Sequence, residues 1–105
     1  MNTENNKIIA EFMNYTLRGK NTFEYNNKLY LIEELKFNSD WNWLMEVVEK
    51  IESLHVANSV AIGGKHCFIN IHDKYRNELV YFKSQENTKI ESVYNACIDF
   101  IKWYN

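Results

Sequence analysis

The chain has 105 residues, 12 basic and 14 acidic side chains, a net charge of −2 and a 46% hydrophobic fraction, which describe one folded domain with a composition well away from that of disordered chains. The missing basic excess argues against broad nucleic-acid binding, while leaving a local patch open. The start, Met1-Asn2-Thr3-Glu4, lacks the basic and apolar regions of a secretion signal, and no apolar run approaches the ~18 residues of a membrane span. Cys67 and Cys97 sit inside apolar stretches, too few for a disulfide scaffold. A cytoplasmic protein with reduced, buried thiols is expected.

In chain order, Ile8, Ile9, Phe12 and Met13 recur at helical spacing, which predicts a helix over Thr3–Asn14. Gly19 and the polar group after it end that pattern. Thr22–Tyr25 and Leu29–Leu35 alternate as two strands joined through Asn26-Asn27, a pair that tolerates the positive φ angles of a tight hairpin. With three glycines, no proline and 15 asparagines, the chain relies on asparagine for left-handed turns.

Ser39 and Asp40 are N-cap residues for a helix over Asp40–Leu54. Trp41, Leu44, Met45, Val48, Ile51 and His55 form its apolar stripe, widened by Trp43, Val47 and Leu54; Glu46, Glu49, Lys50 and Glu52 read as solvated. Val56–Ile62 follows as a strand, Gly63-Gly64 turns it, and Lys65–His72 returns with Cys67, Ile69 and Ile71 on one face. Asp73–Asn77 is a polar turn before a strand over Glu78–Lys83. The last helix, Thr88–Tyr104, opens on a Thr88/Glu91 capping box. The order α-β-β-α-β-β-β-α predicts an α+β fold: a mainly antiparallel sheet of about five short strands covered by three helices.

No catalytic, metal or cofactor grouping is expected. His66 and His72 share a strand face but stand roughly 20 Å apart at ~3.3 Å per residue, beyond one ion's reach. His55 at a helix end suits the dipole. Cys67 and Cys97 lie in apolar stripes that make thiols inert. Gly63-Gly64-Lys65 lacks both the leading glycine (Ser59 stands there) and the closing Ser or Thr (His66) of a phosphate loop, so a hairpin turn explains it better. The carboxylates are spread over exposed helix surface, which fits solubility and no enzyme.

Two candidate binding surfaces remain. In the first hairpin, Arg18, Lys20, Tyr25, Lys28 and Tyr30, with Tyr15 and Phe23, mix cations and aromatics as single-strand RNA binders do. Alternation and Glu24, Glu33 and Glu34 weaken that reading, so direct nucleic-acid contact is not favoured. The other is the turn carrying Lys74, Tyr75 and Arg76; Arg and Tyr are enriched at energetic centres of interfaces. Its plainer reading is an ordinary exposed turn.

The stretches Asp40-Trp41-Asn42-Trp43-Leu44-Met45-Glu46-Val47-Val48-Glu49-Lys50-Ile51-Glu52 and Phe100-Ile101-Lys102-Trp103-Tyr104-Asn105, the latter preceded by Val93-Tyr94-Asn95-Ala96, resemble small phage and prophage proteins of Bacteroidetes bacteria. The family pattern reads W-D-W-L-M-x-V-V-E-K-I and F-I-x-W-Y-N; Asn42 replaces its usual acid, and Glu46 stands where proline is common. The resemblance covers about a third of the chain. It implies an α/β sandwich with Trp41, Trp43 and Trp103 as core anchors, and a phage origin. By that origin the protein is expected to bind and inhibit a bacterial host defence protein, of which the Cas nuclease of an RNA-guided system, or its guide-RNA loading, is the leading case (anti-CRISPR type). The alternatives are a sponge for a nucleotide immune signal, held by Lys74, Arg76 or Arg18, and a structural or regulatory phage protein acting as a dimer through an aromatic edge.

Overall fold

The computed structural model describes residues 2–73 and 75–105. Its elements run α1 (Asn2–Phe12), β1 (Thr16–Leu17), β2 (Thr22–Tyr25), β3 (Lys28–Leu31), a 3-10 turn (Ile32–Glu34), α2 (Trp41–Ser53), β4 (Ser59–Gly63), β5 (His66–Asp73), β6 (Glu78–Gln85) and α3 (Lys89–Tyr104). The fold is mixed α+β. The strands form two separate three-stranded antiparallel sheets, β1-β2-β3 and β4-β5-β6, in place of the single sheet of five expected from the sequence.

The segment between the hairpin and α2 explains that difference. Leu29–Leu35 reads as one alternating strand, yet pairing stops at Leu31, and Ile32 and Leu35 are both buried. Residues three apart eclipse one another on a 3-10 helix, so those two side chains enter the core together. The Leu31 N–H is satisfied by Glu34 Oε1 at 2.7 Å, a bond that holds the turn and ends the ladder. The first sheet is therefore small and edge-limited. Its hairpin turns as expected, with Asn26 and Asn27 at φ 51° and 65°.

Helix α3 lies at the centre. Val93, Ala96, Cys97, Phe100 and Ile101 are fully buried, packed against the Cys67, Ile69 and Ile71 face of β5 and against α1 and α2. Thr88 caps it: its Oγ1 accepts the Glu91 N–H at 3.2 Å and donates to Glu91 Oε1 at 2.9 Å. From α2, Leu44, Val47, Val48 and Ile51 supply the core at i, i+3, i+4, i+7 spacing. Asp40 caps that helix through the Asn42 N–H.

Three details correct the sequence reading. Trp41 and Trp103 are 39% and 43% exposed, so neither is a core anchor; Trp43 is half-buried, its ring 5.2 Å from Phe37. Both exposed tryptophans sit in terminal helix turns, where neighbouring elements cover only part of the ring. Val56 is 97% exposed in a turn, and strand pairing begins only at Ser59. Lys50 is partly covered where the sequence reads it as solvated: burial lowers its pKa, its Nζ donates to the Phe12 carbonyl, and it lies 4.5 Å over the Phe12 ring.

Buried polar groups stitch the layers. Asn6 donates to the Leu35 carbonyl (3.1 Å) and to Asn38 Oδ1 (3.0 Å) while accepting from Tyr94 Oη (2.9 Å), which uses both halves of one amide. Ser92 accepts the Glu86 N–H (2.9 Å) and donates to the Lys65 carbonyl, tying α3 to both strands at one end of the β5–β6 pair.

Phe100→Ala should cost ~3–5 kcal/mol in urea unfolding, the usual range for truncating a buried aromatic. Trp103→Ala should cost less than half as much, because much of its ring never leaves water. Burial pushes the Cys67 thiol up to about 11 and the Cys97 thiol higher still, so neither carries thiolate at neutral pH. A thiol reagent at pH 8 should accordingly leave the native protein unlabelled and modify both cysteines once it is unfolded.

Candidate binding cleft

Strand β5 runs out at Asp73, and the chain reverses through residues 75–77 into β6. The Asp73 carboxylate fixes that reversal by accepting the Tyr75 and Arg76 N–H groups at 3.0 and 3.4 Å. Asn77 completes it at φ 53°. Arg76 lies 3.9 Å from Asp73 and 3.7 Å from Glu78; with its side chain 75% exposed, these pairs add little stability but direct its charge toward acids.

Beside this turn, α2 ends and leads into Asn58. Asn58 donates at 3.0 Å to the Ile51 carbonyl, which also takes the Leu54 N–H at the helix end, and its Oδ1 accepts the His72 N–H at 2.9 Å. One buried amide thus splices the end of a helix to the side of a strand. The splice brings His55 onto His72, with ring centroids 4.2 Å apart and planes 12° from parallel. His55 Nδ1 accepts the Ala57 N–H at 2.9 Å, which puts the proton of its neutral form on Nε2. His72 Nε2 is 3.4 Å from Asn77 Oδ1, while its Nδ1 is buried without a hydrogen-bond partner among the described residues.

The last turn of α3 supplies the opposite wall. Trp103 packs 5.5 Å from Phe82, and Tyr104 lies 5.3 Å from Phe100 and 6.0 Å from Phe12. Between these walls is a cleft of about 640 Å³, walled by His55, His72, Asp73, Arg76, Trp103 and Tyr104 among others. That volume is in the range of ligand and side-chain pockets. Two helix C-termini reach it, each carrying roughly half a negative charge, beside the Asp73 carboxylate and the Arg76 guanidinium. Aromatic faces and negative helix ends together favour a cation.

Of the residues singled out in the sequence, Tyr75 and Arg76 line this cleft; Lys74 lies outside the described residues. The first hairpin stands apart. Tyr25, Lys28 and Tyr30 border a second hollow of about 390 Å³, but Tyr25 stacks on Tyr15 at 4.3 Å and Tyr30 meets Trp43 at 5.4 Å, so these rings are engaged inside the protein. Arg18 is held by Glu24 at 2.6 Å, and Lys20 is exposed in the bend before β2. From the sequence, His55 has only a helix-end role, and neither Asn58 nor Tyr104 is singled out for binding. The only hint in the chain was that His55 ends a helix and His72 ends a strand; their stacking depends on Asn58. The rings lie face to face, so their nitrogens do not converge, and among the described residues no group of three His, Cys, Asp or Glu could hold a metal ion.

If Asn58 is the splice, Asn58→Ala should cost ~1–3 kcal/mol, the penalty for stranding buried partners. The amide of His72 should then exchange with solvent faster in hydrogen-exchange NMR, while amides of α1 keep their protection.

No helix among the described residues is long and apolar enough to cross a membrane. No family model, curated protein or solved structure matches the chain.

Proposed function

We propose that this is a binding protein whose cleft accepts a basic side chain of a protein partner. The observation that carries this reading is the meeting of two helix C-termini with Trp103, Tyr104 and Tyr75 at one opening, in a chain of net charge −2. An arginine or lysine entering there would gain both the helix-end fields and the aromatic faces. Half-exposed aromatics around a recess are the usual anchors of an interface.

The resemblance to phage proteins supplies the kind of partner: a defence protein of the bacterial host, working in its cytoplasm. An RNA-guided nuclease fits the charge argument, since such enzymes hold their guide–target duplex in a positively charged channel. Occupying that basic surface would inhibit the nuclease or its guide-RNA loading, and would need no catalysis. Nothing specific favours the nucleotide sponge: Arg18 and Arg76 each face carboxylates.

Capture of a purified RNA-guided nuclease on the immobilised protein, with and without guide RNA, tests the proposal. Saturable binding that weakens with salt is expected, and Trp103→Ala with Tyr104→Ala should lower affinity at least about tenfold while the circular dichroism spectrum is unchanged. Undiminished binding by that double variant would remove the cleft from the interface. Absence of any nuclease complex would remove the proposed partner.

A further inference from the structure

The sheet β4-β5-β6 has two edges, and they are treated differently. On the β4 side, the outward Val60 N–H is taken by Glu52 Oε2 at 3.2 Å, and α2 packs alongside. On the β6 side, nothing comparable is present among the described residues. Which backbone groups β6 leaves open follows from two bonds. The Glu86 N–H reaches the opposite Lys65 carbonyl, and the His72 N–H turns away from β6 toward Asn58. Antiparallel pairs alternate between bonded and non-bonded, so Glu78, Val80, Phe82 and Ser84 bond to β5. Leu79, Tyr81, Lys83 and Gln85 point their N–H and C=O groups outward.

Apart from Lys83, that edge carries little of the usual protection. It is eight residues long, its register against β5 is unbroken by any bulge, and the chain has no proline. Leu79 and Tyr81 are exposed on it, Tyr81 by 66%. An edge of this kind is complete only when another strand lies on it.

We infer that the strand is β6 of a second copy, paired antiparallel about a two-fold axis through Tyr81, which joins two three-stranded sheets into one of six. Self-complementarity selects this occupant and this register. Centred on Tyr81, the pairing sets Tyr81 against Tyr81 of the partner copy, Leu79 against the alkyl stem of its Lys83, Val80 against its Phe82 and Glu78 against its Ser84. It contains no like-charge pair, brings Arg76 near Glu86 of the partner copy at both ends, and forms about six backbone hydrogen bonds. Of the two neighbouring registers, the one centred on Phe82 sets Glu78 against Glu86 at both ends and is repelled, and the one centred on Val80 sets Glu78 against Phe82 and moves Arg76 from Glu86 to Ser84. The dimer stands independently of the cleft proposal, since its axis passes through the edge and not through the α3 wall.

Sedimentation equilibrium and cysteine cross-linking test it together. The full chain at high concentration should have twice the 12.6 kDa monomer mass, and Tyr81→Lys, which sets two like charges face to face at an exposed site, should be a folded monomer by circular dichroism. Under a mild oxidant, Tyr81→Cys should give a disulfide-linked dimer, because bonded antiparallel pairs have Cα atoms about 5.5 Å apart, within disulfide reach. Leu79→Cys alone should not cross-link, since its two copies would stand roughly 14 Å apart, but a mixture of Leu79→Cys and Lys83→Cys proteins should. The buried Cys67 and Cys97 do not compete. A monomeric wild type at millimolar concentration overturns the inference, as does a dimer that survives Tyr81→Lys. Self-cross-linking of Leu79→Cys overturns the register.

Discussion

Burial of α3 on several sides at once is the constraint from which the rest of the molecule follows. A 16-residue helix with eight buried residues needs apolar partners around most of its circumference. The Cys67–Ile69–Ile71 face of β5 supplies one, α1 another and α2 a third. A three-stranded sheet with one covered face, and two helices that cannot share that face, is the arrangement that satisfies this demand in so short a chain. The first sheet is an attachment to the far side of this core, anchored by Phe23 and the aromatic cluster of Tyr15, Phe37 and Trp43.

The same constraint explains what the sequence disclosed. Long periodic elements were legible because burial writes itself into spacing: α2, α3 and the inward face of β5 all follow from apolar positions three, four or two apart. The two-sheet division was not legible, since Leu29, Leu31 and Leu35 fall on one face of an alternating strand, while the 3-10 turn that buries Ile32 with Leu35 is held by a carboxylate at Glu34. Tryptophans misled for a related reason. A terminal helix turn, the first of α2 for Trp41 and the last of α3 for Trp103, is only partly covered by its neighbours, and no periodicity marks where the neighbours stop.

The cleft was half-visible. Tyr75 and Arg76 announced an exposed turn, but the opposite wall comes from a helix that begins a dozen residues later, and the floor from an asparagine with no local pattern. Asn58 matters because it has a donor and an acceptor on one rigid group, and it spends them on a helix end and a strand flank. Sites assembled at the convergence of chain ends are hard to foresee, because each component obeys a purely structural rule in its own element.

One habit of this chain has a chemical result beyond geometry. Asn14, Asn26, Asn27 and Asn77 all occupy left-handed backbone positions where glycine is the common solution. Glycine would leave those bends bare. Asparagine keeps an amide on each, so the tightest corners of the surface still offer a donor and an acceptor, as the carboxamide of Asn77 does toward the His72 ring. The corners of this molecule are therefore part of its hydrogen-bonding surface.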